Sequence, residues 1–374
     1  MNTSNNVPKL DIPIIKEAII KLTNRCTLHC RYCYMEHKKS DLSIDLLKKF
    51  LKESIPLGLK NIYLHGGEPL LRPLSYFSEL INFLEKENLR KKVMIYIQTN
   101  GMLLTPEIIN GFKKMDIRIG VSLDGPEKIH NLNRGGWKKT MEAIANLQKE
   151  RVNFGVISVI TKNTLKYTTP KNLLNFYLEH NLRSVGLAPC QEAGFIIDKS
   201  VIASPEQYSN FMNKFFDEWC KLKRNDFIVR EFEDIVAQLV LVKDGGCCVT
   251  QSGKACAYTF ELTSDGYVYP CDWYQDEKYC GGNIKDTDTR TVILRTRSKF
   301  FKTIGKKYSA HKKKDCVNCQ WFLLCRGGCP LSIVNKTNFW CQSRKLMYQH
   351  IASRLKIMGF KLKYLDALKK QPII

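Results

Sequence analysis

Long apolar runs are absent from this sequence of 374 residues. A membrane-spanning helix needs about 20 consecutive apolar residues, whereas the runs at 154–160 and 235–242 are short and interrupted. The stretch 1–11 is polar and lacks the apolar segment of a secretory signal. We therefore expect no membrane partner and a cytoplasmic location. A hydrophobic content of 44% with 25% charged residues excludes global disorder.

Acidic residues are scarce in the C-terminal part of the chain. From 290 to 374, 20 Lys and Arg side chains stand against two acids, which gives this part a net charge of +18. A solvated basic face, an acidic peptide partner and nucleic acid are the three interpretations of such a region. No RNA-binding, helix-turn-helix or zinc-finger pattern accompanies the charge, so nucleic acid is the least favoured of these partners.

Cysteine, by contrast, is abundant, with 15 in the chain. In a large chain without a secretion signal, cysteines indicate metal or redox ligands rather than disulfides. The segment 247–341 is also rich in Gly and aromatic residues, and only short secondary-structure elements are predicted in it. Such a segment usually needs bound metal to hold its fold.

Strand-like apolar runs alternate with amphipathic helices between residues 15 and 187. Six strands (18–22, 61–65, 93–99, 117–122, 154–160 and 184–187) and five helices (44–53, 75–88, 106–114, 137–151 and 171–181) are predicted. This alternation indicates parallel strands joined by right-handed crossovers. Because six strands are too few to close an eight-stranded barrel, the predicted class is α/β, a partial (β/α)6 TIM-like barrel.

Five segments are predicted along the chain. They are a short N-terminal segment (1–15), the partial barrel (16–190), a helical bridge (191–246), a Cys-rich domain (247–341) and a basic C-terminal helix (342–374). The apolar side of that last helix is predicted to carry Leu346, Ile351, Leu355 and Met358.

Cys26, Cys30 and Cys33 lie within eight residues, directly after the first predicted strand. Three thiolates on one short loop can hold three corners of a cubane iron–sulfur cluster and leave the fourth iron open. An open iron can chelate a small molecule. Structural zinc is the less favoured alternative. A zinc site needs four closed ligands or a His or carboxylate as the fourth, and His29 lies between two of the thiols, where it is poorly placed to turn inward and join them.

This CxxxCxxC motif, with Tyr32 before its last cysteine, resembles the radical S-adenosylmethionine (SAM) family. Three further motifs follow in the expected order between residues 18 and 190. They are Gly66, Gly67, Glu68 and Pro69; Gln98, Thr99, Asn100 and Gly101; and Ser122 to Pro126, leading to Arg134.

The resemblance implies that one 4Fe–4S cluster binds SAM, which is cleaved to methionine and a 5′-deoxyadenosyl radical that abstracts a substrate hydrogen. The implied SAM-binding residues are Tyr32, Gly66, Gly67, Glu68, Asn100, Ser122 and Arg134. Among these, Tyr32 would border the adenine, the glycines would let backbone polar groups approach the methionine amino group, and Ser122 and Arg134 would hold the ribose and carboxylate. A plain turn at the glycines and a surface salt bridge of Arg134 remain open as alternatives.

The downstream cysteines resemble the SPASM extension, which holds two auxiliary 4Fe–4S clusters. Two fully ligated cubanes need eight thiolates, and seven match the pattern, so Cys247 or Cys248 is the eighth, with Cys248 preferred. The implied division gives one cluster Cys248, Cys256, Cys271 and Cys329, and the other Cys316, Cys319, Cys325 and Cys341. Zinc at Cys316, Cys319 and Cys325 is the alternative.

The segment 269–274, followed by Gly282, Asn283 and Ile284, resembles the anaerobic sulfatase-maturating enzymes, which oxidise Cys or Ser to formylglycine. The resemblance implies that Asp272 is the base that removes the substrate thiol or hydroxyl proton; a turn role is its alternative. Two residues depart from that family's pattern: Met35 replaces an aromatic residue and His65 replaces a glutamine.

The resemblance also implies the partners, which are a peptide or protein substrate and a reductant such as flavodoxin or ferredoxin. The alternative function is a ribosomal-peptide maturase that forms thioether, carbon–carbon or epimerised products. In that case the basic C-terminal region would be the expected docking place for the leader of the substrate peptide.

Overall fold

The computed structural model describes residues 14–37, 39–192, 198–241, 256 and 258–364. Six parallel strands lie side by side in chain order. They are β1 (Glu17–Lys21), β2 (Asn61–His65), β3 (Met94–Thr99), β4 (Ile117–Ser122), β5 (Phe154–Ile160) and β6 (Ser184–Pro189). The sequence predicted all six, with ends that differ by at most two residues.

Helices connect these strands. They are α1 (Ile44–Ser54), α2 (Leu74–Lys86), α3 (Pro106–Lys114), α4 (Glu127–Asn133), α5 (Trp137–Lys149), α6 (Lys162–Tyr167) and α7 (Pro170–Glu179). The predictions for α2, α5 and α7 ran two residues too far, to Asn88, Arg151 and Asn181. Each of these three residues has a positive φ, the left-handed conformation that commonly ends a helix. The short α4 and α6 were not predicted, because one or two turns carry little periodicity.

Three further strands extend the sheet at its two edges. β7 (Ile228–Val229) pairs with β6, while β8 (Thr259–Leu262) pairs in parallel with β1, and β9 (Val268–Tyr269) pairs antiparallel with β8. The order is therefore β7-β6-β5-β4-β3-β2-β1-β8-β9, and within the described residues the two edges do not join. The partial barrel is confirmed, and the Cys-rich segment continues its sheet.

The C-terminal half is mainly helical. It contains α8 (Pro205–Lys221), α9 (Arg230–Leu241), α10 (Thr289–His311), α11 (Phe322–Cys325), the hairpin β10 (Ile333–Val334) and β11 (Thr337–Asn338), and α12 (Cys341–Ile357). The expectation of only short elements in 247–341 is wrong, since α10 has 23 residues. Basic residues interrupt its apolar stripe, which obscured the helical pattern in the sequence.

The predicted C-terminal helix (342–374) corresponds to α12, which packs against α8 but ends at Ile357, close to Gly359 with its positive φ. Ile351 and Leu355 are buried as expected and Leu346 is half-buried, but Met358 is 51% exposed because it follows the last helical residue. The part of this prediction beyond 364 lies outside the described residues. None of the described helices is both long and apolar enough to cross a bilayer.

Candidate active site

The loop after β1 carries Cys26, Cys30 and Cys33, all partly buried. Burial raises the pKa of Cys30 to about 12; Arg134 opposes this rise, while Cys33 and Cys26 add to it. The three thiols thus lie close enough to act on one another electrostatically, beside a permanent cation. This donor set fits a cubane that takes one thiolate at each of three irons.

Gly66 and Gly67 pack the end of β2 against this loop. A Cβ atom on Gly66 would lie 2.4 Å from the Thr23 carbonyl oxygen, and one on Gly67 would lie 2.1 Å from the Arg25 carbonyl oxygen. The Gly67 N–H donates to that Thr23 oxygen at 2.9 Å. Close backbone approach therefore requires both glycines, while their contact with the SAM amino group stays a prediction.

Glu68 ties β2 to β3. Its buried carboxylate accepts hydrogen bonds from Leu70 N (3.1 Å), Thr99 Oγ1 (2.7 Å) and Asn100 N (2.9 Å), and burial raises its pKa to about 7. The Asn100 amide in turn donates to Thr27 Oγ1 at 3.0 Å. In this structure both residues support the cysteine loop, and their contacts with SAM remain predicted.

Asp124 organises the other side of the loop. Its fully buried carboxylate accepts from Tyr32 Oη (2.6 Å), Asn133 Nδ2 (3.2 Å), Arg134 Nε (3.0 Å) and Val159 N (3.0 Å). The Arg134 guanidinium lies 5.1 Å from the centroid of the Tyr32 ring. The side chain of Arg134 is only 10% exposed, so its salt bridge with Asp124 is buried and does not lie at the surface, while its contact with SAM stays a prediction. Tyr32 and Arg134 therefore lie together beside the cysteines, and Asp124 binds both.

Ser122, at the end of β4, accepts a hydrogen bond from Gln98 Nε2 at 3.0 Å. This contact joins the ends of β3 and β4, two strands that carry predicted SAM-binding residues. The structure places Ser122 at the same edge of the sheet as Glu68 and Asn100, since the carboxyl ends of parallel strands meet there.

Four of the implied auxiliary ligands line one cavity: Cys316, Cys319, Cys325 and Cys341. Burial raises the pKa of Cys316 to about 12, and the charges of the other three thiols add to the rise. Among the described residues, no three His, Cys, Asp or Glu side chains converge on the position of a single ion. Four thiols that line one cavity fit a cubane, whose four irons take one thiolate each, and zinc at Cys316, Cys319 and Cys325 stays the alternative.

Three ligands of the other implied cluster lie near enough to Tyr274 to affect its pKa. Burial raises the pKa of this tyrosine, and Cys329, Cys271 and Cys256 contribute to the rise in that order. The Tyr274 hydroxyl donates to the Leu331 carbonyl at 3.0 Å. Cys247 and Cys248, the two candidates for the eighth ligand, lie outside the described residues.

Asp272 lies between the cysteine loop after β1 and the implied auxiliary ligand Cys271. Its Oδ2 accepts a 2.5 Å hydrogen bond from the Tyr34 hydroxyl and lies 3.8 Å from Lys21 Nζ, while the Cys271 thiol lies 3.5 Å from its Oδ1. The side chain is 13% exposed, so it is still accessible. Met35 is buried, and Tyr34 presents an aromatic ring to this site from the neighbouring position.

Lys21, which the sequence analysis missed, joins Asp272 to a deeper polar group. Its fully buried Nζ lies 3.8 Å from Glu261 Oε1 and 3.5 Å from His65 Nδ1. Burial and the Lys21 charge lower the pKa of His65 to about 3, so this histidine is neutral. Burial raises the pKa of Glu261 to about 8, against the opposing effect of Lys21.

Comparisons with known proteins agree with this arrangement. A model of the Radical SAM superfamily matches residues 20–168, and one of the SPASM iron–sulfur cluster-binding domain matches residues 254–320. A cysteine-type anaerobic sulfatase-maturating enzyme from Clostridium perfringens (strain 13) is 28% identical over 375 residues, which cover 92% of this chain and 98% of that protein. A serine-type anaerobic sulfatase-maturating enzyme from Bacteroides thetaiotaomicron is 28% identical over 388 residues, which cover 92% and 89%.

The similarity extends to solved structures. The structure of native anSMEcpe with bound AdoMet and a Kp18Cys peptide matches with a TM-score of 0.78 and 26% identity, over 92% of this chain and 98% of that one. The cofactors that follow are SAM, a SAM-binding 4Fe–4S cluster and auxiliary 4Fe–4S clusters. The protein is a radical SAM enzyme with a SPASM domain, similar to the anaerobic sulfatase-maturating enzymes.

Proposed function

We propose that this enzyme oxidises a cysteine or serine side chain of a peptide or protein to formylglycine, the reaction of sulfatase maturation. The observation that carries the proposal is the position of Asp272. It lies beside the auxiliary ligand Cys271 and receives a hydrogen bond from Tyr34, the neighbour of the first-cluster ligand Cys33. A carboxylate at this junction can reach a side chain bound between the two groups of cysteines.

Cys26, Cys30 and Cys33 would hold the SAM-binding cluster, and Tyr32, Ser122 and Arg134 would line the SAM site. When bound, the cluster and SAM supply the 5′-deoxyadenosyl radical that abstracts a hydrogen atom from the substrate side chain. The network around Asp124 holds Tyr32 and Arg134 in fixed positions before SAM binds. Such preorganisation keeps the reacting groups aligned.

Asp272 would take the proton of the substrate thiol or hydroxyl. Tyr34 orients its carboxylate, and the Lys21 ammonium, 3.8 Å away, faces the negative charge. Loss of one hydrogen atom from the substrate carbon and one proton from its sulfur or oxygen leaves one electron to be removed. Its removal gives the aldehyde directly from serine, whereas cysteine gives a thioaldehyde that water hydrolyses to formylglycine with release of hydrogen sulfide. Since Asp272 directly follows Cys271, the proton and this electron would leave on the same side of the substrate.

The test is anaerobic turnover of the reconstituted enzyme with SAM, dithionite and a Cys-x-Pro-x-Arg peptide, followed by mass spectrometry. We expect formylglycine to form in step with 5′-deoxyadenosine, and to be lost in Asp272→Asn. Asp276→Asn is the matched control, because Asp276 is an exposed carboxylate four residues further along the same loop. Deoxyadenosine formed with every such peptide left intact would reject sulfatase maturation and favour a ribosomal-peptide substrate.

The cellular setting is part of the proposal. A reducing cytoplasm would keep the 15 cysteines available as thiolate ligands. It would also supply the electron donor that a SAM-binding cluster requires, for which a flavodoxin or ferredoxin is the proposed class of protein.

A further inference from the structure

The cavity shared by Cys316, Cys319, Cys325 and Cys341 lies next to a basic surface. One π-helical turn, Lys312–Cys316, places three consecutive lysines, followed by Asp315, before the first of these thiols. Lys313 and Lys314 are exposed, although Cys316 itself is buried. Only Asp315, which also lines the cavity, therefore lies between the exposed Lys314 and Cys316 in the chain.

The β10–β11 hairpin completes this surface. Lys314 Nζ donates to Thr337 Oγ1 at 3.1 Å, so the π-helical turn and the hairpin are in contact. Asn335 and Lys336 connect the two strands with positive φ angles of 49° and 63°, as in a type I′ turn, which places the exposed Lys336 at the tip. Val334 on the same hairpin is 58% exposed.

Little negative charge compensates these lysines. Between 289 and 364, Asp315 is the only acidic residue of the sequence, and its Oδ2 lies 3.0 Å from His311 Nδ1. Within the described ranges, neither Lys313, Lys314 nor Lys336 forms an ion pair with a carboxylate. We refer to these three lysines, with the exposed Val317 and Val334, as the lysine patch.

We propose that the lysine patch is the docking surface for an acidic one-electron carrier protein. The inference rests on the proposed function, because it assigns a cluster to the cavity beneath the patch. Positive charge steers an acidic partner and speeds its association, and electron-transfer complexes use small, transient interfaces such as this one. The two exposed valines supply apolar contact among the lysines.

The proposed reaction releases one electron, and such a partner accepts it in the cell. After the substrate side chain has lost a hydrogen atom to the deoxyadenosyl group and a proton to Asp272, one electron remains to be removed. The oxidised carrier takes this electron by way of the auxiliary clusters, so the side chain is oxidised and the carrier is reduced. The cavity at Cys316 lies beside the patch and gives the electron its exit.

The experiment measures binding of a purified acidic flavodoxin, and separately a ferredoxin, to the reconstituted enzyme at several salt concentrations, under anaerobic conditions. We expect K313E/K314E/K336E to weaken binding about tenfold or more at low salt and to flatten its salt dependence. The matched control is K138E/K139E/K149E, which reverses three exposed lysines on α5. This control should bind like the wild type. Iron content and visible absorbance verify that every variant retains its clusters.

A second set, K313Q/K314Q/K336Q, removes the charge without reversing it and should give an intermediate loss of affinity. Unchanged binding in both sets, or a wild type that binds neither carrier, would overturn the docking surface. So would an acidic peptide that binds at the patch in place of the carriers. Dithionite-driven formylglycine formation should be equal in all variants, and its absence from the wild type would instead reject the proposed function.

Discussion

The Tyr34 hydroxyl donates a 2.5 Å hydrogen bond to Asp272 Oδ2, across 238 residues of chain. Tyr34 follows the last cysteine of the first loop, and Asp272 follows an implied auxiliary ligand. The bond therefore connects the two cysteine-rich regions at the point where the proposed substrate side chain would lie. The position of the carboxylate depends on both regions at once.

Removal of this hydrogen bond should affect product formation more than radical formation. A hydrogen bond to a charged group contributes about 1.5–3 kcal/mol, so Tyr34→Phe should lower the rate of formylglycine formation by about tenfold to a hundredfold. Deoxyadenosine should continue to form, which raises its ratio to product in mass spectrometry. Tyr267→Phe, at a tyrosine 41% exposed, is the control and should behave like the wild type. Equal losses of deoxyadenosine and product would contradict an orienting role for Tyr34.

Lys21 balances two buried or partly buried carboxylates, Glu261 and Asp272. Removing one partner of a buried ion pair leaves uncompensated charge and typically costs about 3–5 kcal/mol. We therefore expect Lys21→Met to lower the free energy of unfolding by about that amount, measured by chemical denaturation under anaerobic conditions. At a pH above about 8, where Glu261 is ionised in the folded protein, the double variant K21M/E261Q should recover part of the loss, because it also removes one of the two carboxylate charges. A K21M protein as stable as the wild type would mean that water already screens the charge of Lys21.

Glu261 should give the stability of the protein a defined pH dependence. Burial raises its pKa from 4.5 to about 8 in the folded state. Between these values the folded protein holds a proton that the unfolded chain releases, so rising pH favours unfolding. The stability of the wild type relative to Glu261→Gln should therefore fall as the pH rises from about 5 to about 8. Denaturant midpoints of both proteins at several pH values measure this difference. A difference that stays flat or grows would show that Glu261 is ionised throughout.

The sequence predicted the strands and the sets of cysteines because both are local patterns. Each core strand is an apolar run of defined length, and the spacing of the thiols does not depend on packing. It could not predict that Asp124 is the centre of the Tyr32 and Arg134 network, because an aspartate before Gly and Pro is also typical of a turn. Only the folded chain shows the carboxylate directed inward.

The charged residues beneath Asp272 were missed for a related reason. Lys21 ends an apolar strand and Glu261 lies within another, and the sequence does not show that β8 pairs with β1. That pairing brings the two side chains together. The two strands are far apart in the chain, so no local pattern of the sequence signals their contact.

Gly67 offers a test of whether the end of β2 positions the SAM-binding cluster. A Cβ atom on Gly67 would lie 2.1 Å from the Arg25 carbonyl oxygen and 3.1 Å from the Cys26 Cβ, so Gly67→Ala must displace the cysteine loop. Overpacking of this kind costs about 1–3 kcal/mol. Because the auxiliary cysteines lie on other segments, we expect the variant to lose about one cluster's share of iron and its SAM cleavage, while the auxiliary clusters remain.

Iron analysis and visible absorbance of the reconstituted variant measure the outcome. Gly305→Ala is the matched control: Gly305 lies in α10, and a Cβ atom there would meet no atom within 4 Å. That substitution should preserve the full iron content and raise helix stability slightly, since Ala is the better helix former. Full iron in Gly67→Ala would show that the loop can shift without losing its cluster, and the close approach at β2 would then serve packing alone. A loss of all iron would instead mean that the auxiliary clusters depend on the first loop, through contacts such as the one between Tyr34 and Asp272.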